Sequence, residues 1–325
     1  MKLDEFLWMR MIRMQPIEHT PLPNSGQGRG HFRKAAFSRF ALPALVAGAA
    51  AIGLAPIFVR LSDVGPMAKA FWRLTLSLPL LWTAVRWSLK RRPGTLIPRS
   101  AAEIRLLIAA GFFFAADLSV WHVSIGLTTV ANATLLPNFA PVFVVLGAWI
   151  FLKERVGLPF FTGMAAALAG TVLMVGTSYR IDPGRFLGDS LALATALFYA
   201  GYILAVKRLR ARFSTAVVMA ASGTVTAVSL LAASLAAGER ILPQTVRGWA
   251  VLASMAVISH AGGQGLIAFA LAHLKAGFSS VGLLVQPVVA AVLAWALFGE
   301  TLNAVQAAGG LLVLAGILLA RKDSG

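Results

Sequence analysis

Apolar runs of about twenty residues recur along this chain, and no other feature constrains its fold as strongly. A helix that crosses a bilayer needs ~20 predominantly apolar residues. On that ruler ten segments qualify: 41–60, 66–87, 104–125, 128–151, 157–177, 187–206, 213–237, 247–271, 277–298 and 304–320. Breaks between them carry turn-forming residues, as in "SDVGP", "KRRPGTLIPR", "RIDPGR" and "AGERILPQ". Hydrophobic residues make up 58% of the chain and charged residues 13%, against ~45–50% and ~25% in ordinary globular domains. A soluble fold could not hide that much apolar surface. The expected class is an all-α integral membrane protein of ten transmembrane helices.

Charge orients the ten segments. The net charge is +17, which in a soluble chain would suggest nucleic acid. Here the basic residues sit in alternate connections. With the N-terminus cytoplasmic, the inner segments hold Arg86, Lys90, Arg91, Arg92, Arg99, Arg105, Lys153, Arg155, Lys207, Arg208, Arg210, Arg212, Lys275, Arg321 and Lys322, besides the arginines of the N-terminal tail. The outer segments hold only Arg60, Lys69, Arg180, Arg185, Arg240 and Arg247. The positive-inside rule therefore places both termini in the cytoplasm, in a cell (inner) membrane, with no nucleic-acid partner. Residues 1–40, with "PLPNSGQGRG", read as a disordered cytoplasmic tail.

Whole classes of chemistry are excluded. There are no cysteines, five histidines and twelve acidic residues. Disulfides, thiolate metal sites and cysteine nucleophiles are ruled out and metal clusters are not expected. HExxH, Walker, GxGxxG and GxSxG motifs are all missing. No metal, no cofactor and no catalytic activity are expected.

The chain also repeats. Shifted from Pro141 to Pro287, "PVFVVLGAWIFLKERVGLPFFTGMAAALAG" lies without a gap over "PVVAAVLAWALFGETLNAVQAAGGLLVLAG". Pro141/Pro287, Trp149/Trp295, Glu154/Glu300 and Gly163/Gly309 coincide, which apolar bias alone would not produce. Each half holds five spans, an odd number, so the second half must enter from the opposite side. Inverted repeats of this kind are a transporter architecture with a site near the midplane.

Together, "AADLSVWHVSIGLTTVANATLLPNFAPVFVVLGAWIFLKERV" and "ALAHLKAGFSSVGLLVQPVVAAVLAWALFGETLNAVQAAGGLLVLAGILL" resemble the two EamA repeats of the drug/metabolite transporter superfamily. The resemblance implies repeats over 41–177 and 186–321. It also implies a small-metabolite permease, an exporter, whose halves rock about a central cavity. Two departures are the long tail and a weak second copy of span two, without a counterpart of Arg73.

Polar residues inside the oil mark the candidate site, because charge at the bilayer centre costs at least ~2.5–3.5 kcal/mol. Asp117 reads either as a proton or cation site or as a group bonding its neighbours. Trp121, on the same face, either stacks a substrate or packs. Asn138, between Pro137 and Pro141, lines a site or satisfies the carbonyls those prolines free. Gln286 beside Pro287 is the second half's version. Arg73 either holds an anionic group or pairs with Asp117, or snorkels to the outer interface. Tyr199 and Tyr202 are cavity or interface residues. In "SHAGGQG", His260 and Gln264 share a face beside Gly263, while Gly262 and Gly265 are expected to allow close helix contact. His260, with Asp117 and Arg73, is a coupling candidate. Glu154 and Glu300 are expected to cap the spans that follow them, and Asp189 to cap its own. Spans three, four, eight and nine are the expected walls.

The expected partners are a small-molecule substrate and the lipid bilayer, with the oligomeric state, a homodimer included, left open. Two other classes stay in view: a membrane-embedded lipid-modifying enzyme and a non-transporting membrane scaffold. The first would need a catalytic constellation, and the second has no need of an inverted repeat.

Overall fold

The computed structural model describes residues 39–91, 94–175, 183–299 and 303–322. All regular structure among them is helical. Most of the expected tail, Asp182 and Glu300 lie outside the described residues.

Ten helical spans cross the molecule. The first, α1, is the pair of segments Ala41–Gly53 and Ala55–Leu61. The second, α2, is Pro66–Thr75 and Leu78–Arg91. Then come α3 (Ala101–Leu127), α4 (Asn132–Leu152), α5 (Leu158–Val175), α6 (Phe186–Arg210), α7 (Thr215–Ala236), α8 (Val246–Ala270), α9 (Ala276–Leu297) and α10 (Ala304–Arg321). Among the described residues, the eight from α3 to α10 are long and apolar enough to cross a bilayer. Many large apolar side chains face outward, as lipid contact requires: Phe112, Leu146, Trp149, Trp295 and Leu311 are all more than half exposed.

The packing obeys a two-fold exchange of the halves. α3 lies along α6, and α1, its counterpart partner, lies along α8. α4 packs on α6 and α9 on α1; α7 packs on α3 and α2 on α8. The remaining main contacts join each helix to its own copy: α5 to α10, α2 to α7, α4 to α9.

Those self-pairs run antiparallel. Gly163, early in α5, abuts Gly316 and Ala320, late in α10, while Gly170, late in α5, abuts Gly309 and Val313, early in α10. At the start of α2, Glu239, just past the end of α7, accepts the amides of Met67 (3.1 Å) and Ala68 (2.8 Å). A two-fold axis along the membrane normal would leave copies parallel. The axis therefore lies in the membrane plane, and the repeats are inverted.

Small residues make the closest contacts possible. A Cβ on Gly170 would sit 2.5 Å from the Gly309 carbonyl oxygen, and one on Gly316 2.5 Å from the Ala167 nitrogen. In lipid, where no hydrophobic force drives helices together, such backbone approach is what holds them. Hydrogen bonds add to it: Thr226 Oγ1 donates to the Gly111 carbonyl (3.0 Å) and Ser259 Oγ to that of Ala51 (3.1 Å).

Candidate substrate cavity

Two broken helices meet at the centre. α4 tightens into a 3-10 turn over Leu136–Phe139. α9 breaks at Leu283 and Leu284, between segments Ala276–Gly282 and Val285–Phe298. The Pro141-to-Pro287 shift carries the first break onto the second. Prolines cause both, since each lacks the N–H that would close a helical turn. Pro137 frees the carbonyl of Ala133, and the Trp121 indole of α3 donates to it at 2.9 Å. One residue on, Asn138 Nδ2 donates to Thr134 O at 2.8 Å. At the second break Leu283 O, freed by Pro287, accepts the Gln286 amide at 2.9 Å. Irregular backbone at this depth is tolerated where it lines a cavity.

It does so here. A cavity of about 190 Å³ lies against both breaks. Arg73, Asp117, Trp121, Asn138, Gln264 and Gln286 all line it. Tyr202 and His260 do not; Tyr199, one turn from Tyr202, does. The walls are also wider than the expected four spans, because Ile52 of α1, Arg73 of α2 and Thr195, Tyr199 and Ile203 of α6 contribute. The spacing of Thr195, Tyr199 and Ile203, one helical turn apart, was the available signal for α6.

Both signs of charge reach the cavity. Arg73 is 6% exposed and Asp117 8%, so neither side chain has turned out toward an interface. Arg73 Nε has no hydrogen-bond partner, and no salt bridge joins the two residues among the described residues. Beside them runs a stack of rings: Tyr199 on Tyr202 (6.1 Å between centroids), Tyr202 on Phe114 (4.6 Å), Phe114 on His260 (5.9 Å). His260 thus sits behind Phe114, itself a cavity residue. Both its ring nitrogens are buried and unpaired.

The backbone of α8 explains that placement. Met255–Gln264 is a π-helix, a wider turn than the α-helix on which the faces were reckoned. Gln264 reaches the cavity, and Gly263 faces α1, where a Cβ would stand only 3.0 Å from the Gly48 carbonyl oxygen. The glycine roles are therefore the reverse of those expected. Gly265 faces open space and Gly262 meets only its own helix.

Carboxylates outside the cavity tie the spans at their ends. Glu154 does not cap the span that follows it. Its Oε2 accepts the Ala276 amide at the start of α9 (2.8 Å), and its Oε1 lies 3.8 Å from Lys207 Nζ. Lys207 also donates to Leu274 O at 2.6 Å. In the turn between α8 and α9, partial burial and then the charges of Arg210 and Lys207 hold His273 below the usual histidine range. At the other end, Asp189 is likewise no cap. Its Oδ1 accepts from Thr128 Oγ1 (2.6 Å) and Asn132 Nδ2 (2.9 Å), fastening α6 to the α3–α4 connection.

Comparisons with known proteins agree with this architecture. The model of the EamA-like transporter family matches residues 39–176 and again 186–321. The pseudopaline exporter of Pseudomonas aeruginosa is 27% identical over 248 residues, 75% of this chain and 84% of that one. A protein of Streptantibioticus cattleyicolor named "Probable terminal-alkyne amino-acid exporter" is 30% identical over 280 residues, 82% of this chain and 87% of that one. A crystal structure that is 20% identical superposes with a TM-score of 0.71, covering 88% of this chain and 98% of the other. The last similarity concerns the fold.

Proposed function

The chain belongs to the EamA-like transporter family and is a multi-pass membrane transporter, and from that premise we propose that it exports small zwitterionic metabolites from the cytoplasm across the cell membrane. One observation carries the reading: Arg73, with an unpaired Nε, and Asp117 line one cavity without pairing to each other. A ligand with both a carboxylate and an ammonium would supply the partner each lacks. Trp121 and Tyr199 offer ring faces to an apolar side chain, and the amides of Asn138, Gln264 and Gln286 supply donors and acceptors. Two relatives support the class, one named for pseudopaline and the other for an amino acid.

The mechanism we infer is alternating access. The two inverted halves rock about the broken α4 and α9, and the ties at Glu154 and at Asp189 part in turn. The basic loops support the orientation in which the Lys90 end is cytoplasmic.

Counterflow in proteoliposomes tests the proposal, with leucine and phenylalanine as probes beside their amides and N-acetyl derivatives. Flux should need both free charges. Arg73→Gln should raise KM for the intact amino acids by roughly tenfold to a hundredfold, the worth of ~1.5–3 kcal/mol for a hydrogen bond to a charged group. Equal flux of the blocked derivatives would overturn the zwitterion reading.

A further inference from the structure

A second and larger cavity, of about 340 Å³, lies on the outside of the bundle, away from the one between the halves. Its shape follows from the helix packing. α3 and α4 both lie on α6, but the main contact of α3 with α4 is at the first turns of α4. Toward the basic end they diverge, and α6 is left as the floor of a groove between them. Gly147 and Gly201 let the helices close up there; a Cβ on Gly147 would stand 2.3 Å from Leu204. The lining is almost wholly apolar, and Leu146, Ile150 and Leu197 within it are exposed to the surroundings of the bundle.

The exception is the basic end. Arg105, in the second turn of α3, and Arg208, in the last turn of α6, both line the groove there. Neither guanidinium makes a hydrogen bond or an ion pair among the described residues. From the arginines the groove reaches Phe113 on α3 and Leu197 on α6. At ~1.5 Å rise per residue that is about 12–16 Å, close to one leaflet of a hydrocarbon core ~30 Å thick. An apolar channel one leaflet deep, opening to lipid and ending in two unpaired arginines, matches one chemistry.

We propose that this groove is a binding site for an acidic phospholipid of the leaflet at the basic end, its phosphate held by Arg105 and Arg208 and an acyl chain lying along α6 between α3 and α4. Charge complementarity distinguishes it from ordinary lipid contact. A neutral phospholipid would fill the same channel but leave the two guanidiniums without a net counter-charge, and basic residues near an anionic surface each add to binding. Phe113 in the groove and Phe114 in the central cavity are neighbours in α3, so a lipid seated here packs against the helix that carries Asp117 and Trp121.

The test uses purified full-length protein in detergent, titrated with phosphatidylglycerol or phosphatidylcholine. Bound lipid is counted by native mass spectrometry and thermal unfolding is followed in parallel. One phosphatidylglycerol should bind in preference to phosphatidylcholine and raise the melting temperature. The double change Arg105→Gln with Arg208→Gln should weaken that binding by on the order of thirtyfold. Lys90→Gln with Arg91→Gln removes as much charge from the same end of the molecule but outside the groove, and should leave binding within about twofold. Ala109→Phe keeps both arginines, fills the channel and should also lose the lipid. The proposal is overturned if the two lipids bind equally. It is equally overturned if the Lys90/Arg91 pair matters as much as the groove arginines, or if Ala109→Phe, eluting as a single species, still binds.

Discussion

His260 shows how much a single side chain owes to its neighbours. Its ring lies on Phe114, with Nδ1 and Nε2 both sealed from water and unpaired. A buried polar atom without a partner costs about 1–3 kcal/mol. His260→Phe keeps a planar ring on Phe114 and removes both atoms, so the melting temperature in detergent should hold or rise. A marked fall would show that the nitrogens have partners in another conformation. Transport is a separate matter. A neutral imidazole accepts a hydrogen bond and a protonated one only donates. A charge on the ring would therefore move Phe114, and any dependence of flux on pH that arises at this ring should be lost in His260→Gln. Coincident profiles would make His260 a packing residue. Asn138 carries the same lesson, since its amide both satisfies Thr134 O and lines the cavity. The structural and functional readings of that residue are not exclusive.

Among the elements, the α5–α10 pair and the π-turn of α8 allow a direct contrast between glycines. Gly170→Ala and Gly316→Ala would each push a Cβ to about 2.5 Å from backbone atoms of the facing helix. Backbone cannot swing aside as a side chain can. Each change should cost about 1–3 kcal/mol, measured as a loss of thermal stability in detergent, and the two should cost alike because the two-fold exchange relates them. Gly265→Ala meets nothing within 4 Å and gains up to ~1 kcal/mol of helix propensity. Its melting temperature should not fall. The reverse ranking would mean that α5 and α10 do not touch as described.

At the scale of the molecule, sidedness is the outstanding prediction. The chain has no cysteine, so single introduced cysteines report one site at a time. Lys90→Cys should react with an impermeant maleimide only from the cytoplasmic side. Gln244→Cys, exposed at the opposite end where its amide meets Asp63 (3.2 Å), should react only from outside, as should Asp182→Cys. Labelling of both ends from one side would break the assignment of the basic loops to the cytoplasm, and with it the direction of export.

How much of this could be read without coordinates depends on the range of the physics involved. Spans are local: lipid demands about twenty apolar residues, and all ten begin and end within a few residues of where the pattern puts them. Inversion is nearly local, because an odd number of spans per repeat forces it. Seven of the polar positions singled out along the chain line one cavity, since a charge or polar group in hydrocarbon needs such a place. What escaped depends on partners far along the chain. Glu154 caps α9, 122 residues away, and Asp189 holds Asn132, 57 residues away; no local rule names such partners. Tyr199 rather than Tyr202 faces the cavity because Phe114 takes the other ring. The wide turn of α8 changes which glycine meets α1, and helical faces reckoned at 100° per residue do not contain it. Periodicity says which residues share a face; only the packing of the two halves decides what that face meets.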